Sequence, residues 1–157
     1  MTAEPIPVSA DADLADLARL HAACFAKGWT ETELRDLLET PGMLAFSVSN
    51  GFVLARLASD EAEILTLAVA PAARRQGLGS ALLMAAAERA RVLGGRILFL
   101  EVGDANLAAR ALYARLGFRA VGARKAYYAP HEDAHILRAE LPLVPLGNSK
   151  ASTKVAP

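Results

Sequence analysis

The segment Arg74-Arg75-Gln76-Gly77-Leu78-Gly79-Ser80 is well suited to hold an anion. It follows an apolar run, Leu65-Thr66-Leu67-Ala68-Val69, and leads into a stretch of helical periodicity. Glycines at the start of a helix let backbone N–H groups approach a phosphate closely, and the aligned peptide dipoles add about half a positive charge there. Arg74 and Arg75 supply full charges beside the same point. Together these residues would make a pyrophosphate cradle, although the same glycines, read alone, would equally well close a loop. Two familiar phosphate loops do not fit. No lysine follows Gly77 or Gly79 as G-x-x-x-x-G-K-[ST] requires, and Ser80-Ala81-Leu82 supplies no third glycine for G-x-G-x-x-G. Seven residues, Ala70 to Gln76, also separate the apolar run from the first glycine. Glu101 does stand roughly 20 residues onward, where a ribose-binding acid would lie, so a dinucleotide site stays open as the weaker rival.

Glu101 interrupts the apolar run Ile97-Leu98-Phe99-Leu100-Glu101-Val102. A carboxylate in such a run needs a reason, either a task in a cleft or an ion pair with a nearby arginine. Tyr113 offers a phenol of pKa about 10 that can donate a proton, or a ring that packs on a sheet. Tyr127 and Tyr128 read as ordinary strand aromatics or as the lining of a slot. Three other combinations are set aside. His131-Glu132-Asp133-Ala134-His135 matches H-E-x-x-H, but that zinc motif needs a helix, and here Pro130 precedes it while His135-Ile136-Leu137 opens a strand pattern. No metal is expected. His21 and Cys24 could suggest an acyl-cysteine, yet both fall on an apolar stripe and read as packing. Arg110, Arg115, Arg119, Arg124 and Lys125 could meet an acidic partner such as RNA, but read as a solvated face.

The elements that must position these residues follow from periodicity and turn signals. Pro5 to Ser9 is extended. Leu14, Leu17, Ala18, His21, Cys24 and Phe25 recur at helical spacing from Asp13, and Lys27-Gly28 is expected to end that helix. Thr30 and Glu33 form a capping box for a second helix through Leu38, closed by Pro41-Gly42. Met43 to Val48 and Phe52 to Leu57 flank Ser49-Asn50-Gly51, a hairpin signal because Asn and Gly both tolerate positive φ. A third strand pattern spans Ala62 to Val69, after a turn at Ser59-Asp60. Leu78 to Leu93 is helical and is stopped by Gly94-Gly95. Ile97 to Val102 reads as a buried central strand. Asp104 or Asn106 would cap a helix running to Leu116 and ended by Gly117. Phe118 to Tyr128 and Ala134 to Leu141 are the last strands. The order predicts a single-layer, mixed α/β sheet, mostly antiparallel, flanked by helices, with one strand–helix–strand unit that must be parallel and right-handed. Residues 1–143 are expected to form one domain and residues 144–157 a disordered tail.

Composition narrows the classes. At 157 residues, 54% apolar and 22% charged, the chain is long enough and apolar enough for one folded domain. Its 17 basic residues are matched by 17 acidic ones, so the basic excess of a DNA-binding protein is missing. Cys24 is the single cysteine, which excludes an internal disulfide and a multi-cysteine zinc site. The start MTAEPIPVSADAD does not read as a signal peptide, and no apolar run approaches the ~20 residues of a membrane helix. A cytoplasmic protein, monomeric or weakly dimeric, is expected.

Arg74-x-x-Gly77-x-Gly79 after a strand, then Asn106, then Leu112-Tyr113-x-x-x-Gly117-Phe118, resembles the GCN5-related N-acetyltransferases over roughly Pro7 to Leu141. The resemblance implies that two parallel strands, ending near Val69 and Val102, splay apart at the centre of the sheet. It implies acetyl-CoA as cosubstrate, its pantetheine arm pairing with Leu67, Ala68 and Val69 and touching Asn106. Its pyrophosphate would rest on Arg74, Arg75, Gln76, Gly77, Leu78, Gly79 and Ser80. An amine then attacks the thioester directly, with Glu101 placed to take its proton, Tyr113 to protonate the departing sulfur and the Val69 N–H nearest the oxyanion. A protein that only senses acyl-CoA would need neither proton-transfer group. Arg124-Lys125-Ala126-Tyr127-Tyr128 with Glu132-Asp133-Ala134 is similar to the branch that acetylates ribosomal-protein alanine N-termini. In that branch Tyr127 and Tyr128 would line the slot for the acceptor's first residues, and Phe25 and Trp29 would form its other wall. Thr66 also fits the branch. Gly28 departs from a common proline and Leu137 from a common methionine, so the peptide preference stays open, as does a small amine or lysine acceptor.

Overall fold

The computed structural model of the chain describes residues 4–129 and 132–145. His131 and residues 146–157 of the expected tail lie outside the described residues. The elements run β1 (Ile6–Pro7), α1 (Ala15–Cys24), α2 (Glu31–Leu38), β2 (Met43–Val48), β3 (Gly51–Ala58), β4 (Glu61–Val69), α3 (Leu78–Val92), β5 (Ile97–Gly103), α4 (Leu107–Arg115), β6 (Arg119–Ala129) and β7 (Glu132–Glu140), with one turn of 3-10 helix at Pro71–Ala73. This is the order read from the sequence. Among the described residues seven strands form one sheet in the order β1-β2-β3-β4-β5-β7-β6. Every neighbouring pair is antiparallel except β4 and β5, which are joined through α3.

Side chains alternate across each strand, so one sheet presents two apolar faces. Val53, Ala55, Ala62, Leu98, Leu100 and Val102 meet Leu82, Leu83, Ala86 and Ala90 of α3 together with Tyr113 and Leu116. Full burial of a leucine is worth about 1.5–3 kcal/mol, and Leu82 and Leu83 at 0% exposure anchor α3 to this face. On the opposite face Phe52 and Ala68 meet Leu14 and Leu34, the inward residues of α1 and α2. Leu143 is also buried against the first cluster. Among the described residues no helix is long and apolar enough to cross a membrane.

Local signals hold with three adjustments. The capping box at Thr30 and Glu33 forms in both directions. The first hairpin turns on Ser49-Asn50 alone: Asn50 takes φ +69°, while Gly51 pairs with Val48 as the first residue of β3. Gly51 is also closely packed, because a Cβ there would stand 3.1 Å from Leu82 and 3.2 Å from the Ala68 carbonyl and its neighbours would have to give way by a few tenths of an ångström. Helix α1 stops at Cys24, short of Lys27-Gly28. Gly28 instead lets the following loop fold back on the helix, since a Cβ would lie 2.6 Å from the Ala22 Cα.

Candidate active site

The site begins where the parallel pair stops pairing. Among the described residues β4 and β5 match at Glu61–Ile97, Ala62–Leu98 and Glu63–Phe99 and no further. Beyond that point β4 stays paired to β3 through Val69, and β5 stays paired to β7 through Gly103. The two strands therefore diverge, each held from its outer side. A bulge marks the divergence: Ala55 pairs with Ile64 and Leu54 with Thr66, which leaves Leu65 as an extra residue on β4. Such a residue bends the strand and interrupts its ladder. The backbone of Leu67, Ala68 and Val69 consequently faces a gap on the β5 side.

The expected anion cradle closes one end of that gap. Arg75 and Gly77 both take left-handed φ, +66° and +80°, turning the chain sharply into α3. Gly77 is the N-cap and supplies no side-chain acceptor, so the first-turn N–H groups, around Leu78, Gly79 and Ser80, open toward the loop. Arg74, Arg75 and Gln76 are exposed. Arg74 also reaches back to β4, where its Nε donates to the Val69 carbonyl at 3.0 Å. The Cys24 thiol donates to the same oxygen at 3.4 Å. A Cβ on Gly79 would stand 3.5 Å from Leu112 and 3.9 Å from Leu67, which places the first turn of α3 beside both α4 and β4. At the mouth of α4, Asn106 is the N-cap that the sequence offered along with Asp104, and its Oδ1 accepts from the Ala109 N–H at 3.2 Å.

Glu101 points to the sheet face that carries α1 and α2, into a cavity of about 450 Å³ also lined by Arg56, Glu63, Phe99, Arg124 and Ile136. Its side chain is 19% exposed, and Oε2 lies 3.0 Å from an Arg124 guanidinium nitrogen. The ion-pair explanation for a carboxylate in an apolar run is thus realised together with the cleft position. Arg124 also sits over the Tyr127 ring at 5.1 Å, so β5 and β6 bring Glu101 and Tyr127 together through one guanidinium. The Tyr128 side chain lies outside the described residues. Tyr113 is 8% exposed on the other face, with its ring 5.9 Å from Phe118, so packing accounts for its ring whatever the phenol does.

Phe25 and Trp29 are joined by a residue that the sequence assigned only to packing. His21 is 4% exposed, stacks on Trp29 with centroids 4.5 Å apart and planes 7° from parallel, and lies 4.5 Å from Phe25. The Trp29 N–H donates to His21 Nδ1 at 3.0 Å, and Nε2 lies 3.2 Å from the Thr66 Oγ1. Burial pushes the imidazole pKa down from its ordinary value. Neither bridge has a spacing signature, because Thr66 is 45 residues away and the Trp29 contact depends on a loop conformation.

His135, one end of the apparent zinc motif, is a strand residue of β7, and its Nε2 lies 2.6 Å from Asp104 Oδ1. That hydrogen bond holds the Asp104 carboxyl below its usual range. Arg110 donates to the Asp104 carbonyl at 3.0 Å, fixing the loop that carries Asn106. Among the described residues no group of three or more His, Cys, Asp or Glu is arranged around a metal position.

Residues 14–118 match the Acetyltransferase (GNAT) family profile. The chain is 37% identical over 116 residues to the ribosomal protein bS18-alanine N-acetyltransferase of Escherichia coli K12, across 72% of this chain and 75% of that one. The crystal structure of the ribosomal-protein-S18-alanine N-acetyltransferase from Escherichia coli superposes with a TM-score of 0.77 at 30% identity, covering 89% of this chain and 96% of that one. NAA60 of Arabidopsis thaliana, crystallised with acetyl-CoA, shares the fold with a TM-score of 0.74 at 20% identity, over 87% of this chain and 97% of that one.

Proposed function

The chain belongs to the GNAT acetyltransferase family and is an N-acetyltransferase; from that premise we propose that it moves the acetyl group of acetyl-CoA to the α-amine of a protein N-terminus, with the alanine terminus of a ribosomal protein as the favoured acceptor. The parting of β4 and β5 carries this reading, because it exposes strand backbone beside a helix N-terminus flanked by arginines. The diphosphate is assigned to the Arg74–Ser80 loop, and the amide-bearing arm to the exposed edge of Leu67, Ala68 and Val69. Asn106 spends its carbonyl oxygen on the cap of α4, which leaves its amide N–H groups to meet the arm.

The acceptor amine enters from the Glu101 side. Its nitrogen attacks the thioester carbonyl carbon, the oxyanion is met by the Val69 N–H, and the carbon–sulfur bond breaks. The proton lost by nitrogen goes to Glu101, directly or through water, and the thiolate takes the Tyr113 proton. An α-amine suits this arrangement. With a pKa of about 7.7–8.0, roughly a third of N-termini are unprotonated at pH 7.5, against about one lysine in a thousand. Phe25, Trp29, Tyr127 and Tyr128 are assigned to the walls of the acceptor slot. The bS18-alanine activity of the Escherichia coli relative supports the choice of acceptor.

An acetylation screen decides it. Peptides with a free N-terminal alanine should be acetylated with acetyl-CoA, whereas the same peptides blocked at the terminus and bearing an internal lysine should not, nor should polyamines. Preference for the lysine peptides or the polyamines would refute the acceptor and leave the family assignment standing.

A further inference from the structure

We propose that His21 is a positioning residue that fixes the Phe25–Trp29 wall of the acceptor slot to the strand assigned to acetyl-CoA, so that acceptor binding, and not cofactor binding, depends on its imidazole. The inference rests on reading Phe25 and Trp29 as that wall.

Both ring nitrogens are engaged, which fixes the tautomer. Nδ1 accepts from the Trp29 N–H at 3.0 Å, so the ring proton is on Nε2 and is donated to the Thr66 Oγ1 at 3.2 Å. One neutral imidazole thereby joins α1, the loop after it and the first residue beyond the β4 bulge. The ring also stacks on Trp29 and lies 4.5 Å from the tilted Phe25 ring, so it touches both residues of the wall. Gly28 in the same loop has no side chain to share the task, and a Cβ there would stand 2.6 Å from the Ala22 Cα. The two slot residues would thus owe their position to a group that touches no reacting atom.

Asparagine and glutamine separate the two bonds. An asparagine oxygen lies close to where Nδ1 lies and can still accept from the Trp29 N–H. A glutamine reaches toward Thr66 instead and leaves the Trp29 N–H unmet. The expected result is that His21→Ala and His21→Gln raise the KM for an N-terminal peptide by about tenfold, the worth of one lost hydrogen bond and its packing. kcat at saturating peptide and the Kd for acetyl-CoA should stay within about twofold, and His21→Asn should recover most of the loss. Trp29 is the single tryptophan, so its fluorescence reports the loop without any acceptor present. Its emission should shift to the red and become more open to acrylamide in the Ala and Gln variants, and less so in Asn. Unchanged fluorescence in all three, or equal losses in Asn and Gln, would overturn the tie while leaving the acceptor assignment intact. Altered fluorescence with an unchanged peptide KM would overturn the wall reading instead. A fall in kcat with KM unmoved would also count against positioning. Should His21→Ala fail to fold, the order of Asn over Gln still decides.

Discussion

Glu101→Gln separates a proton-accepting role from a purely structural one, because the two differ by orders of magnitude. The carboxylate pairs with an Arg124 guanidinium at 3.0 Å, whose side chain is 52% exposed. An ion pair that is open to solvent on one side is worth about 0–1 kcal/mol. If that contact were its whole purpose, the glutamine variant, which keeps the shape and a carbonyl acceptor, would lose at most about 1 kcal/mol. For a chain of this length that is about 2–4 °C in Tm. Loss of a general base costs about 10²–10⁴-fold in rate, or about 2.7–5.5 kcal/mol of transition-state stabilisation. Turnover is followed by the free thiol of released CoA, at saturating acetyl-CoA and peptide, with a thermal melt of the same preparation. The expected outcome is a kcat lower by at least a hundredfold beside a Tm within a few degrees of the parent. A kcat within threefold of the parent, with the small fall in Tm alone, would refute the assignment and return Glu101 to being the counter-ion of Arg124.

Tyr113→Phe keeps the ring against Phe118 and removes only the hydroxyl, so it should slow turnover by about 10²–10⁴-fold with little loss of acetyl-CoA affinity, measured by the same thiol assay and by calorimetry. Acetyl-CoA and CoA at a hundredfold excess over Kd should each add about 2.7 kcal/mol of stability in a thermal-shift experiment, while NAD should add none; stabilisation by NAD alone would point to the dinucleotide reading. Gly28→Ala drives a methyl to 2.6 Å from helix backbone and should cost about 1–3 kcal/mol in a denaturant titration, with a raised peptide KM because Trp29 is the next residue. Burial lowers the His21 pKa, so below about pH 6.5 the unfolded chain takes up this proton first. The stability His21 provides is therefore present above about pH 6.5 and lost as pH falls toward the depressed folded value. Between pH 7.5 and 5 the Tm of His21→Asn should fall less than that of the parent, and an equal fall would show that this imidazole does not contribute.

Signals confined to neighbouring residues were legible in the sequence. The Thr30–Glu33 box, the strand alternation, the glycines before α3 and the Asn106 cap all depend on contacts a few residues apart, and the structure contains each of them. The ends of α1 and the first turn were read less well, because tertiary contacts decide them. Gly28 and Gly51 looked like punctuation and are in fact places where two backbones or a helix approach closely. The candidate site was legible as residues and not as a network. Glu101 stood out as a charge in an apolar run, but its pairing with Arg124 and the contact of Arg124 with Tyr127 depend on β7 inserting between β5 and β6, which element order alone does not dictate. His21 was hidden for the opposite reason, since a histidine on an apolar stripe looks like filling until the loop that covers it is known.

The same contacts explain how the sheet tolerates being open at its centre. From Ile64 to Val69 the β4 backbone faces β5 without a ladder, and unmatched strand edges must be stabilised from elsewhere or filled by a ligand. Three bonds from outside the sheet fall on that stretch. His21 reaches Thr66, while Cys24 and Arg74 both donate to the Val69 carbonyl. Two come from the helix that leads into the loop assigned to the acceptor wall and one from the loop assigned to the diphosphate. Pairing with β3 holds β4 on its diverging path, and these three bonds tie that stretch to the elements assigned to the two substrates. An opening held in this way is ready before either substrate arrives, which spares the reaction the cost of ordering it.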